Sequence, residues 1–241
     1  MTTKVVTYEK IPQNAKVIEA FPSNGFVSTI AAQRIIEQLD MQLIGHIESD
    51  NTQGIAVIHK SKPLRPIRIY AKNDLVIVYS EMIIPLDSLS EFSEGLTAWF
   101  KEIQPREVLL LAGVSGVEVS EEHEILGIAT TEELTKKLEK AKVKILTDGM
   151  ITGISADLLI YCMAERIPCI SLVTETQFIP DPTAGASMLR ILNSLLHLDI
   201  GTKDLDNAGT QIESRVKEIT AQLKRGREKY KKMEGIGPMY G

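Results

Sequence analysis

Cysteine is scarce in this 241-residue chain, with only Cys162 and Cys169 present. Two cysteines cannot build a disulfide framework, and their separation is neither that of a redox pair nor that of a metal knuckle. Cys162 lies in the apolar run Leu158–Met163 and reads as a small buried hydrophobe. Aromatic residues make up only 5% of the chain and include a single tryptophan, Trp99, so Leu, Ile, Val and Ala have to fill the core. No stretch approaches the ~18 consecutive apolar residues of a membrane span. The opening Met1-Thr2-Thr3-Lys4 lacks the apolar centre of a signal peptide, so the expected location is cytoplasmic. An excess of positive charge is also missing: the net charge of −5 argues against a general nucleic-acid binder.

What is present is an ordinary globular balance, 44% apolar and 24% charged, enough to bury a full core. Short apolar runs read as strands at Lys16–Phe21, Leu43–Glu48, Leu75–Tyr79, Val108–Leu111, Lys144–Leu146 and Cys169–Val173. Gly54–His59 and Ile67–Tyr70 flank a proline-containing turn and suggest a hairpin. Helical patterns fall between them at Phe26–Leu39, Leu86–Ile103, Thr131–Glu139 and Ile154–Arg166. Asp181-Pro182 opens another helix that runs to about Leu198, with Asp as cap and Pro at the first helical position. Strands alternating with helices imply crossover units: a three-layer α/β/α domain with a mostly parallel sheet and an antiparallel hairpin. The expected core domain spans residues 1–202.

The C-terminus differs from this body. Residues 203–241 carry nine Lys/Arg against six Asp/Glu, so the basic end sits on a body of net −8. The spacing predicts a helix over 203–232, with an apolar stripe at Ile212, Val216, Ile219 and Leu223. Its end is dominated by Lys224, Arg225, Arg227, Lys229, Lys231 and Lys232. These cations either complement the helix dipole or form a collar that attracts an acidic surface. Residues 233–241 then contain Gly235, Gly237 and Pro238, which break the helix and leave a flexible tail ending Met239-Tyr240-Gly241. An exposed apolar residue and a tyrosine at a chain end call for a receiving pocket, and a terminal carboxylate can pair with a lysine there.

Signs of catalysis are weak. His46, His59, His123 and His197 show no metal-ligand spacing, and Glu121, Glu122 and Glu124 around His123 read as a solvated acidic loop. Gly113-Val114-Ser115-Gly116 could cradle a phosphate but lacks the lysine and spacing of a P-loop. Ser155 and Ser171 have no sequence-adjacent partner. No metal or cofactor is expected.

Three segments stand out in order: Phe21-Pro22-Ser23-Asn24-Gly25-Phe26-Val27-Ser28-Thr29-Ile30-Ala31-Ala32, then Gly149-Met150-Ile151-Thr152-Gly153 with its following helix, then Asp181-Pro182-Thr183-Ala184-Gly185-Ala186. These segments resemble the proteasome assembly chaperone family. They occur in the family's order, and among family members the chain is similar to the archaeal homologues of the assembly chaperones. Ser23 and Ser28 stand where family members often carry glycine. Met239-Tyr240-Gly241 matches the hydrophobic–tyrosine–any-residue ending of proteasome activators and assembly chaperones. The resemblance implies a phosphorylase-like fold and a homo-oligomer, with a homologous chaperone as a further partner. It also implies docking of several tails between α subunits of the 20S proteasome: Met239 and Tyr240 in the pocket, the Gly241 carboxylate on its lysine. The competing expectation is a small-molecule hydrolase or phosphorylase-like enzyme, which requires a deep polar pocket near Gly25, Gly113 or Gly153.

Overall fold

The computed structural model describes residues 3–52, 54–116, 123–203, Leu205 and 211–221. Eleven strands and five α-helices are found among them: β1 (Lys4–Thr7), β2 (Lys16–Ala20), α1 (Val27–Gln38), β3 (Gln42–Glu48), β4 (Val57–His59), β5 (Lys62–Leu64), β6 (Ile67–Lys72), β7 (Leu75–Ser80), α2 (Leu89–Ile103), β8 (Glu107–Ser115), β9 (Ile125–Ala129), α3 (Glu132–Lys140), β10 (Lys144–Ile145), α4 (Ile154–Ala164), β11 (Cys169–Thr176) and α5 (Pro182–Leu196). Residues 211–221 form a further helix near the C-terminus. Among the described residues, no helix is long and apolar enough to cross a membrane.

Nine strands make one sheet in the order β1-β3-β6-β7-β2-β8-β11-β9-β10. Its centre, β7-β2-β8-β11, is parallel, and β10 runs parallel to β9. The remaining pairs, β1/β3, β3/β6, β6/β7 and β11/β9, are antiparallel. The continuous apolar runs occupy the parallel centre because both faces there are covered by helices. Alternate residues of β2 and β8 divide between the layers. Ile18, Ala20, Leu109 and Leu111 pack with α1, α3 and α5, whereas Val17, Val108 and Leu110 pack with α2 and α4. This is the three-layer α/β/α arrangement expected from the element order.

Local chemistry sets the helix ends. Thr131 Oγ1 accepts from Leu134 N at 3.3 Å, and Asp181 Oδ1 accepts from Ala184 N at 2.9 Å, each satisfying an amide that the first turn leaves free. The hairpins differ from expectation in their partners. Val57–His59 pairs with Lys62–Leu64 in a separate two-stranded sheet, not with Ile67–Tyr70, which pairs with Leu75–Ser80. The two-residue turn Lys60-Ser61, with both residues at positive φ, closes the first hairpin early and leaves Ile67 free to enter the main sheet. Within the predicted C-terminal helix, Ile212, Val216 and Ile219 are buried against the body.

Candidate functional site

Two regions were expected to carry function: the C-terminal tail, and the crevice where the parallel strands β2, β8 and β11 end. Met239, Tyr240, Gly241 and the cations Lys224, Arg225, Arg227, Lys229, Lys231 and Lys232 lie outside the described residues. The described part of the tail's root is the helix 211–221.

The crevice is closed by the turn between β2 and α1. Gly25 sits at φ 67°, and a Cβ there would lie 2.8 Å from Thr176 Oγ1 and 3.0 Å from the Asp181 Cβ. At Gly113 a Cβ would lie 2.0 Å from the Asn24 carbonyl oxygen, so the turn rests directly on β8. Polar ties lock the contact. Gly113 N donates to Ser23 Oγ at 2.9 Å, Asp181 N donates to Gly25 O at 2.8 Å, and Asn24 Nδ2 donates to Ser115 Oγ at 2.8 Å. The amide at Gly113 is therefore spent within the protein. The segment Gly113–Gly116 is largely the end of β8, not a phosphate cradle. Gly153 lies in the open, with nothing within 4 Å of its would-be Cβ.

Titratable groups at the crevice and elsewhere in the fold are mostly paired inside the structure. Thr176 Oγ1 donates to Asp181 Oδ2 at 2.5 Å, and His123 Nε2 lies 3.4 Å from Asp181 Oδ1. The His123 Nδ1 faces the Glu175 carbonyl at 2.8 Å. Glu124 pairs with Lys144 at 3.0 Å, while Glu121 and Glu122 lie outside the described residues. His46 bridges Tyr8 and Glu48. His59 is held below its usual range by burial and by Arg215 and Arg68. His197 ends α5 in the left-handed conformation. Among the described residues no group of three His, Cys, Asp or Glu could hold a metal. Cys162 and Cys169 are free and buried, and burial together with Cys162 pushes the Cys169 thiol up.

The sequence alone does not single out Glu19, Arg68 and Glu81 as buried charges. Glu19, fully buried on β2, accepts from Phe21 N at 2.9 Å and from Ser155 Oγ at 2.8 Å. Burial raises its carboxyl to about 7. Glu81, just after β7, meets Arg68 at 2.8 Å and Arg215 at 2.9 Å. The available signal was a lone charge inside or beside an apolar strand, at Glu19, Arg68 and Glu81, since buried charges need partners. At the opposite end of the parallel strands a cavity of about 620 Å³ is bordered by Arg106, Thr131, Lys140, Pro168 and His197. It is remote from the crevice in which a doubly wound fold places its ligands.

Comparison with known proteins decides the family. The PAC2 family model matches residues 17–220. The chain belongs to the PAC2 family. An uncharacterised protein of Methanocaldococcus jannaschii is 33% identical over 233 residues, covering 95% of this chain and 93% of the relative. Among solved structures, Pyrococcus furiosus PbaA, described as an archaeal homologue of a proteasome-assembly chaperone, superposes with a TM-score of 0.81 at 31% identity, covering 92% of this chain and 99% of that one. The fold of Pyrococcus furiosus PbaB, described as an archaeal proteasome activator, matches with a TM-score of 0.73 at 24% identity, covering 91% and 99%. The PAC2 body is thus the layered sheet described above, with its strand-end crevice closed.

Proposed function

We propose that this PAC2 protein is a cytoplasmic proteasome assembly chaperone or activator that docks on the α ring of the 20S proteasome through its C-terminus. The observation that carries the reading is the pairing of a PbaA-like body with the ending Met239-Tyr240-Gly241. In this reading residues 1–202 form the core domain, 203–232 a helical arm and 233–241 the docking tail. Met239 and Tyr240 fill a pocket between α subunits, and the Gly241 carboxylate meets a lysine there. The cations Lys224, Arg225, Arg227, Lys229, Lys231 and Lys232 draw the arm to an acidic surface during encounter.

A single short tail binds weakly, so the reading requires a homo-oligomer that engages several pockets together. Support comes from apolar side chains left in solvent: Met150 is 88% exposed, Leu86 85%, Ile160 67% and Met163 58%. Scattered apolar exposure is ordinary, but α4 sets Ile160 and Met163 in solvent and carries only Ser155, Asp157 and Tyr161 as polar residues, which is unusual for an outer helix. Copies of this chain, or a homologous chaperone, would cover that helix. The closed crevice favours docking over hydrolase or phosphorylase-like chemistry.

Deleting Met239–Gly241 is expected to abolish co-sedimentation with the 20S proteasome while leaving the oligomer mass in native mass spectrometry and the melting temperature unchanged. Undiminished co-sedimentation of the truncated chain would refute tail docking.

A further inference from the structure

The C-terminal helix is held by more than its apolar stripe. Ile212 and Val216 join the cluster beneath α1 and α5, whereas Ile219 joins the cluster beneath α2 and α4. Helix 211–221 therefore packs into both apolar clusters, and Arg215 between those contacts reaches Glu81 just past β7. The Glu81 side chain is 1% exposed and lies 2.9 Å from Arg215 Nη1 and 2.8 Å from Arg68 Nη2. Arg68 is itself buried, with its guanidinium 6.0 Å from the Tyr70 ring centroid and 5.5 Å from that of Tyr79, while its Nε and Nη1 have no hydrogen-bond partner among the described residues.

Such a buried network adds little net stability over apolar residues of similar volume, because desolvation offsets the attraction; its best-attested use is to fix registry. The distinction matters here. An apolar stripe with helical spacing presents a similar face after sliding by one turn, about 5.4 Å. Arg215 meets Glu81 in only one of those positions. Residues 222–241 continue from this helix in sequence, so its axial position sets the point from which that segment departs.

We infer that the Arg215–Glu81 pair, backed by Arg68, is a register pin for the C-terminal helix and thereby a positioning device for docking by Met239–Gly241. The positioning half rests on the proposed docking function; the register half does not.

The test replaces the network with apolar residues, R68M/E81L/R215M, in the full-length chain. Two readouts are combined. Spin labels at Ser214→Cys and Lys72→Cys, in chains diluted into unlabelled protein, report the helix position by electron–electron distance. Co-sedimentation reports binding to the 20S proteasome. The triple variant is expected to melt within a few degrees of the parent, to show a distance distribution broadened or split by about one turn, and to bind on the order of tenfold more weakly. An unchanged single distance in the triple variant overturns the pin whatever the binding result. A shifted distance with unchanged binding overturns the positioning role, while docking itself is judged separately by the Met239–Gly241 deletion. If the triple variant does not fold, Arg215→Met alone carries the same two readouts.

Discussion

Glu19→Gln is expected to match the parent protein in stability near pH 5 and to exceed it by up to about 3 kcal/mol above pH 8, given about 1.4 kcal/mol for each unit of pKa difference. The Glu19 side chain is wholly buried, and burial disfavours its charged form, raising the carboxyl from 4.5 to about 7. The hydrogen bonds from Phe21 N and Ser155 Oγ oppose the rise without cancelling it. Between these two values the folded state holds one proton more than the unfolded chain. This contribution is fully present below pH 4.5 and is lost as the pH rises through about 7. Glutamine keeps the shape and the acceptor oxygen but cannot ionise. Denaturant midpoints at pH 5 and pH 8 for both proteins decide the matter. If the gap between the variants does not widen with pH, the Glu19 carboxyl is not the buried acid the structure places there.

Gly113→Ala is expected to lower the melting temperature by at least about 6 °C, taking 3 kcal/mol, the upper end of ordinary overpacking, and about 2–4 °C per kcal/mol for a chain of this size. The obstacle is backbone: the new methyl would lie 2.0 Å from the Asn24 carbonyl oxygen and 3.1 Å from the Asn24 carbonyl carbon. A flexible side chain could rotate away, but the turn is tied by Ser23 Oγ, Gly25 O and Asn24 Nδ2. Gly201→Ala serves as the control, because its nearest neighbour would be 3.5 Å away, and its effect should stay within about 1 kcal/mol. Calorimetry on both variants provides the comparison. An unchanged melting temperature for Gly113→Ala would mean that the turn does not rest on β8 and that the crevice is open.

The five helices were legible because each carries its own signals. Asp181 caps its helix in the folded protein as its position in the sequence suggests, and Thr131, the first residue of the predicted helix 131–139, turns out to be that helix's cap. The central strands were legible because long apolar runs have few alternatives. By contrast, β1 is four residues at a sheet edge and only partly buried, so it leaves no pattern to read. Strand β9 hides behind Gly127, a poor strand former kept small because a Cβ there would lie 2.8 Å from the Leu138 side chain.

By itself, the sequence determined the element types, the acidic body with its basic end, and the terminal Met239-Tyr240-Gly241 that motivates docking. Those features are local, written in periodicity, capping and composition. Only the tertiary structure decided the strand order, the hairpin partners, the closing of the crevice by Asn24 and Gly25, and the partners of the buried charges. Arg215 and Glu81 are 134 residues apart in the chain, and no local pattern can pair them. Their meeting depends on how a helix and a strand end are brought together by the packing of both layers. The tail's chemistry is thus a property of the sequence, whereas the contact that holds the helix before it is a property of the fold.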